Sequence, residues 1–218
     1  MKLDFTVVAS YSDLLLTGLL WTVVITILSG VISFVAGIGI ALLTLYSPKF
    51  IRIAVKSVVF LFMGTPLLLQ LYLLYYGLSQ LGIFLPAFWT GVVGLGLHYA
   101  AYNGDIFRAS ILAVGTGQAE AARTLGFSRG ATLRYFILPQ AVLTALPQVG
   151  NNSIILLKDT AVLSVLGITE LVLNSQQAIA ETYRPFEFYM AAAVFYYLIN
   201  LLMEWALRRA ARKVEAIR

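Results

Sequence analysis

The side chains that could carry out chemistry in this chain are few, and most stand inside long apolar segments. His98, Tyr102 and Asp105 recur at helical spacing, so they share one face of a predicted helix, and Arg108 follows Asp105 by one turn. A histidine beside a carboxylate could act as a general acid–base pair. Asp105 is better explained as the ion-pair partner of Arg108. His98 either contacts a substrate or is a hydrogen-bonded packing residue.

The sequence motifs that support enzyme catalysis are missing. The sequence contains no GxxxxGK(S/T) phosphate loop, no HExxH, no GxSxG and no cysteine. A single histidine cannot build a histidine cluster for a metal ion. We therefore predict no catalytic residue, no metal site and no cofactor in this chain, and we do not interpret it as a stand-alone enzyme.

A second polar group lies near the middle of a later apolar segment. Gln148, Asn151 and Asn152 are followed within two turns by Lys158 and Asp159. Polar residues at membrane depth are costly and mark a transport path, unless they only join helices to one another. Helical spacing places Gln148, Asn152 and Asp159 on one face, and Asn151 and Lys158 on another.

A third polar group, Thr65 and Gln70, flanks Pro66. Proline removes a backbone hydrogen bond, so the helix should kink or unwind there and need polar help from its neighbours. The predicted substrate path is the sum of the three groups: Thr65, Gln70, His98, Tyr102, Gln148, Asn151, Asn152 and Lys158.

Composition indicates that these residues are held by helices in a bilayer. Of 218 residues, 60% are hydrophobic and only 11% are charged, which is more apolar surface than a soluble domain of this size could bury. Five transmembrane helices are predicted, at about residues 14–46, 57–77, 88–109, 137–157 and 186–207. Small residues at four-residue spacing in the first of them, Ser29, Ser33 and Gly37, would let another helix approach closely.

The rest of the chain is predicted to connect these spans. Residues 49–56 form the first connecting loop, residues 161–173 fold back on the outer surface, and residues 174–184 form a polar connection. We expect a single membrane domain over residues 1–218, and no removable signal peptide at its N-terminus.

Between the third and fourth spans lies a polar stretch, residues 115–137, whose local signals predict two short helices. Residues 118–125 are mostly good helix formers. Gly126 can adopt the left-handed conformation that ends a helix, and Ser128 can cap the start of the next one. The prediction is a short helix, a sharp corner and a second helix that runs into Pro139.

This stretch resembles the EAA loop of the permeases of type I ABC importers. That pattern is EAA, three residues, Gly, nine residues, Ile, any residue and Leu-Pro, and only Phe136 departs from it, in place of Ile. In the family, the loop forms a coupling helix that docks on a separate ATPase subunit. The positions to which the resemblance assigns this coupling role are Gln118, Glu120, Ala121, Ala122, Gly126, Leu138 and Pro139.

Three further segments resemble the polar amino-acid permeases of that family. Residues 64–70 resemble the RGTPLLVQL segment, with Met63 where that subfamily usually has Arg. Residues 101–108 resemble AYxxExxR, with Asp105 in place of Glu. Residues 150–160 resemble the block GNxxIxLLKxT. The resemblance implies a type I permease fold and a second permease subunit, either identical or a sister chain. It also implies two ATPase subunits that bind ATP and magnesium, and an extracytoplasmic binding protein that delivers an amino acid. The implied transport mechanism is alternating access driven by the ATPases.

Basic residues predict the orientation. With five spans, one side of the membrane holds twelve Lys and Arg residues and the other side holds only Lys2, Lys158 and Arg184. By the positive-inside rule the N-terminus is outside, and the EAA loop and the C-terminus are in the cytoplasm. The resemblance implies that the membrane is the inner membrane of a bacterial cell. The twelve are Lys49, Arg52, Lys56, Arg108, Arg123, Arg129, Arg134, Arg208, Arg209, Arg212, Lys213 and Arg218.

Two alternatives and one substrate hypothesis complete the sequence interpretation. A secondary transporter or channel would explain the amides of the fourth span but not the EAA loop, and an assembly subunit without transport would leave Lys158 unexplained. Relatives that carry basic amino acids suggest a carboxylate at or near position 152, where this chain has Asn152. We therefore expect a neutral or acidic amino acid, unless Lys158 is simply paired with Asp159 or Asp105.

Overall fold

Long helices make up most of the molecule. The computed structural model describes the backbone of residues 3–215 and the side chains of residues 3–210. Secondary structure within these residues is entirely helical, in agreement with the predicted all-α class. The helices are α1 (Thr6–Ser10), α2 (Ser12–Tyr46), α3 (Lys49–Gly64), α4 (Leu67–Tyr72), α5 (Leu78–Gln80), α6 (Ala87–Ala113), α7 (Thr116–Thr124), α8 (Arg129–Thr132), α9 (Leu138–Asp159), α10 (Leu171–Thr182) and α11 (Pro185–Glu215).

Three shorter helical turns link some of these elements. A π-helical turn, Leu73–Gly77, joins α4 to α5, and a second, Leu133–Ile137, joins α8 to α9. A 3₁₀ segment, Thr160–Leu166, follows α9. Of the residues counted for orientation, Lys2 and Arg218 lie outside the described residues, and Arg212 and Lys213 are described only through the backbone of α11.

Helices α2 and α6 form the central pair of the fold. The predicted small-residue stripe of Ser29, Ser33 and Gly37 is buried against α6, which confirms the close approach. Ser29 Oγ donates a 3.0 Å hydrogen bond to the backbone carbonyl of Val92. A Cβ added at Gly37 would lie 2.9 Å from Cβ of Asn103, so only glycine fits there.

The predicted second span is broken, and more sharply than a kink. Helix α3 and the helix Leu67–Gln80 meet at an angle of 113° across Thr65 and Pro66, both with extended backbone ψ angles. Lys49, Arg52 and Lys56 were predicted in a connecting loop, and that prediction is wrong. They lie in α3, because Ser47 ends α2 and Pro48 starts the next helix at once, its carbonyl accepting from the Arg52 amide.

Two described helices are long and apolar enough to cross a membrane on their own, α2 and residues Pro185–Ala210 of α11. The bent pair of α3 and Leu67–Gln80 makes a third if it is counted as one span. Helix α6 has 27 residues and would be about 40 Å long at the usual rise of 1.5 Å per residue, which is long enough to span a membrane. It is less apolar than α2 and is not among the candidate spans. The count of five spans therefore stays a prediction.

Most of the predicted polar connection, residues 174–184, lies in helix α10, which begins at Leu171 within the segment that was predicted to fold back on the outer surface. Glu170 caps its N-terminus, accepting hydrogen bonds of 2.8 Å from the amides of Val172 and Leu173. The helix buries Leu171 and Ala178 in a cluster with Leu15 of α2 and residues of α11. Asn174 and Ser175 are buried in the same helix, so part of its packed face is polar and an apolar pattern alone did not reveal it.

Candidate functional site

The polar loop between α6 and α9 folds as two helices around a glycine corner. Helix α7 ends where Gly126 takes a positive φ of 84°, and the amide of Phe127 reaches back to the carbonyl of Ala122 at 3.1 Å. Ser128 begins the next helix, its Oγ accepting from the amide of Ala131 at 3.3 Å. The predicted roles of Gly126 and Ser128 are confirmed, and they fix the direction of the chain by local backbone chemistry.

Helix α7 turns one face inward and leaves the other open. Ala122 is buried, whereas Gln118, Glu120 and Ala121 are exposed. Leu125 at its end is 75% exposed. The described chain thus presents a short helix whose outer edge is free for contacts.

The return of the loop to the bundle is held by apolar contacts. The rings of Phe127 and Phe136 pack edge to face with centroids 4.9 Å apart. Leu138 packs against the buried cluster around Phe107, and Pro139 is exposed. Phe136, the one departure from the EAA pattern, therefore has a partner within the loop itself.

Gln70 joins the break in the second span to α6. Its Nε2 donates to the carbonyl of Phe62 at 2.7 Å and to the carbonyl and Oγ1 of Thr65 at 3.0 and 2.9 Å. Its Oε1 lies 3.0 Å from Nδ1 of His98. The structure therefore brings together three residues of the predicted path, and it uses Gln70 to satisfy carbonyls that the interruption before Pro66 leaves free.

Asn152 belongs to a second polar chain that crosses three helices. Its Nδ2 donates to Oδ1 of Asn103 at 2.9 Å, and Nδ2 of Asn103 donates to Oγ of Ser33 at 3.1 Å. Asn103 is buried. The sequence analysis missed it, although an amide within an apolar span was a sufficient signal.

The charged end of α9 is arranged differently from the pairing considered for it. Asp159 accepts a 2.6 Å hydrogen bond from the hydroxyl of Tyr99, a second residue that the sequence analysis missed. Lys158 is exposed and forms no ion pair among the described side chains. The Tyr102 ring lies 5.3 Å from the His98 ring, so these two predicted residues are neighbours.

Two predicted path residues lie apart from this group. Gln148 is exposed. Asn151 lines a cleft of about 190 Å³ between α9 and α11, together with Glu204 and Arg208. The neighbouring amides Asn151 and Asn152 therefore face different surroundings, as their 100° separation on a helix requires.

The predicted pair of Asp105 and Arg108 is present, with Nε 3.7 Å from Oδ1 at an exposed position. Both residues line a cavity of about 240 Å³ whose wall also includes Lys56 and Met63. Position 63, where the subfamily pattern has Arg, thus lies beside the carboxylate at position 105, where the pattern has Glu. Both departures from the pattern concern one cavity.

Within the part of the chain that the structure describes, no three His, Cys, Asp or Glu side chains come together in a group that could hold a metal ion. The polar residues of the bundle are instead hydroxyls, amides, one imidazole and isolated charges. Such groups can bind and orient a polar solute or stabilise helix contacts.

The fold and the glycine-cornered loop define a membrane component of a transport system. The chain belongs to the family of binding-protein-dependent transport system inner membrane components, whose model matches residues 31–216. This confirms the resemblance to ABC importer permeases. The chain is therefore a permease of the bacterial inner membrane, a membrane subunit of a transport system.

The individual relatives are amino-acid permeases. The chain is 36% identical over 219 residues to the arginine transport system permease protein ArtQ of Bacillus subtilis (strain 168), and the match covers 99% of both proteins. It is 32% identical over 223 residues to the glutamine transport system permease protein GlnP of Escherichia coli (strain K12), over 100% of both. A crystal structure of an amino acid ABC transporter with histidines matches with a TM-score of 0.89 at 39% identity, over 98% of this chain and 100% of that one.

Proposed function

We propose that this chain is the permease subunit of an ABC importer that takes up a polar amino acid delivered by an extracytoplasmic binding protein. The observation that carries the proposal is the coupling loop, residues 115–137. Its helix α7 exposes Gln118 and Glu120. The Phe127–Phe136 contact braces the loop internally, and Leu138 packs against the buried cluster around Phe107 where the chain returns to the bundle. A force applied at the exposed edge would therefore be passed to α9.

In this mechanism two permease subunits work with two ATPase subunits, which bind ATP and magnesium. Closure of the ATPases moves the coupling loops and rocks the bundles, so that the substrate path opens to the outside, and hydrolysis resets it. The equilibrium shifts only because the ATPase dimer binds the two bundle states with different affinity. A change from 1:99 to 99:1 requires a difference of about 10⁴-fold, or roughly 5.5 kcal/mol.

The first test is dependence on an ATPase. An ATPase subunit should copurify with the tagged chain from membranes of its own host, and vesicles should import substrate only when ATP is supplied on the loop side. Glu120→Lys should weaken the assembly, because a reversed charge must be desolvated at the interface, while Glu120→Gln should weaken it less. Uptake by the permease alone, driven by an ion gradient, would favour the alternative of a secondary transporter.

The second test concerns orientation, with the N-terminus outside and the loop in the cytoplasm. The chain has no cysteine, so an introduced one reports alone. Gly117 is exposed and a side chain there would meet no atom within 4 Å, which makes Gly117→Cys a mild probe of the loop. It should react only with reagents that enter the cytoplasm, and Thr182→Cys only from outside. Reaction of Gly117→Cys with an impermeant external reagent would overturn the five-span orientation.

The third test concerns the charge of the substrate. The relatives named for arginine and glutamine transport differ in substrate charge, so their names do not choose between the two. Lys158 is exposed without a carboxylate partner among the described side chains, and position 152 holds an amide rather than a carboxylate. A positive site favours a substrate carboxylate, and hence a neutral or acidic amino acid.

Competition uptake in membrane vesicles measures this preference directly. Glutamine or glutamate should compete well and arginine poorly. Strong competition by arginine with none by glutamate or glutamine would refute the charge argument while leaving the ABC permease function intact. Asn152→Glu should move the preference toward cationic substrates.

A further inference from the structure

A cationic cleft lies beside the coupling loop, where α2 ends. It has a volume of about 530 Å³, in the range of ligand pockets. Helix α7, helix α8 with the π-helical turn that follows it, and the last residue of α2 form its walls. The residues that matter for its chemistry are Tyr46, Ala119, Arg123, Arg129, Gly130 and Leu133.

The charge of the cleft is of one sign. Arg123 and Arg129 line it, and no Asp or Glu is among its lining residues. Neither arginine forms an ion pair among the described side chains. Two cations without a counter-ion in one concavity attract an anion, and guanidinium groups suit phosphate because they donate two parallel hydrogen bonds.

The remaining walls are mostly apolar, with Thr132 as the polar exception. Tyr46 is the last residue of the 35-residue apolar helix α2, so the cleft lies at one end of that candidate span. Leu133 and Ile137, which belong to the π-helical turn after α8, form an apolar floor. A ligand that matches this cleft carries an anionic head for the arginines and hydrocarbon for the floor.

We propose that this cleft binds an anionic phospholipid, with the phosphate between Arg123 and Arg129 and the first methylenes against Tyr46 and Leu133. The orientation assigned under the proposed function places it in the cytoplasmic leaflet. The bound lipid bridges α2 and the coupling loop, and so it holds α7 in a fixed position relative to the bundle. Lipid composition thereby regulates the coupling of this permease.

The test measures phosphatidylglycerol retained by the assembled transport complex after extraction from phosphatidylcholine vesicles that contain it, by native mass spectrometry. Arg129→Gln should weaken retention about fivefold, as expected for one interfacial arginine. Gly130→Leu should weaken it without a change in charge, because Gly130 lines the cleft and a large side chain there narrows it.

Matched controls come from the same loop. Arg134→Gln removes a charge outside the cleft, where the guanidinium lies 5.7 Å from the Tyr135 ring centroid. Gly117→Leu adds the same side chain on α7, in open space and outside the cleft. Both controls should retain phosphatidylglycerol as the unmodified complex does.

The outcomes separate lipid from the other possible occupant, the ATPase. Equal losses in Arg129→Gln and Arg134→Gln would show a diffuse charge effect and overturn the proposal. Loss of the ATPase from Arg129→Gln with unchanged lipid retention would assign the cleft to the subunit interface, again overturning it. Retention is measured without transport, so a failure here leaves the proposed permease function standing.

Discussion

The backbone of Gly126 offers a prediction whose size can be worked from the structure. Its φ is +84°, and a Cβ added there would meet no atom within 4 Å. A substitution is therefore opposed by backbone conformation and not by crowding. For residues other than glycine the left-handed conformation costs about 1–2 kcal/mol, and we expect Gly126→Val to lie at the upper end because valine is branched at Cβ.

That cost is large for the loop and small for the protein. Helix α7 has nine residues, fewer than an isolated helix needs to be stable in water, and Ala122 is its one buried residue. The strain can be relieved by turning α7 away from its position while the bundle stays folded. Gly126→Val should therefore insert and assemble but lose much of its transport per ATP hydrolysed.

The assay is the ratio of substrate uptake to ATP hydrolysis in proteoliposomes that contain the complete complex. Gly126→Asn should keep most of the coupling, because asparagine tolerates the left-handed region, and Gly126→Ala should fall between asparagine and valine. Gly117→Val is the control, since it places valine in the same helix at an ordinary backbone conformation. Normal transport by Gly126→Val, or equal uncoupling by Gly117→Val, would refute the backbone argument.

Three further predictions concern single side chains. Gln70→Leu should lower the stability of the complex by about 2–3 kcal/mol, because it removes four hydrogen bonds of about 0.6 kcal/mol each. His98→Leu removes only one of the four, so its unfolding temperature should fall less. Equal falls in unfolding temperature for the two variants would contradict this prediction. Thr132→Val should raise the unfolding temperature by an amount that reflects roughly 1 kcal/mol, because the buried Thr132 Oγ1 has no hydrogen-bond partner among the described residues and valine has the same shape. Lys158→Ala should abolish substrate uptake and substrate-stimulated ATPase activity but leave basal ATPase activity near normal, and unchanged uptake would show that Lys158 is not in the path.

The parts of the site that sequence predicted well are governed by local backbone chemistry. A glycine after a run of helix formers and a serine two residues later were enough to place the corner of the coupling loop, because the relevant contacts span only a few residues. The same applies to the break at Pro66. In both cases the residue type constrains its own backbone, so tertiary packing has little to decide.

The parts that sequence did not predict depend on angles between helices. The hydrogen bond between Gln70 and His98 exists only because the chain turns by 113° at Thr65 and Pro66 and so brings residue 70 against α6. The contact of Asn152 with Asn103 depends on the rotation of α6. The sequence analysis predicted the polar face of this helix to be the one that holds Tyr102. The adjacent Asn103 points about 100° away from that face.

The polar residues of the bundle divide into two kinds, and the division decides where the substrate hypothesis rests. Gln70, His98 and Asn152 each use at least one polar group in a hydrogen bond within the chain. Replacing any of them would therefore disturb helix contacts as well as any contact with substrate. Lys158 has no such ion-pair partner, and Asp159 beside it is engaged by Tyr99. The charge argument therefore depends chiefly on Lys158, because a cation that no described carboxylate neutralises acts on whatever solute passes it. An amide at position 152 matters mainly as the absence of a competing negative charge.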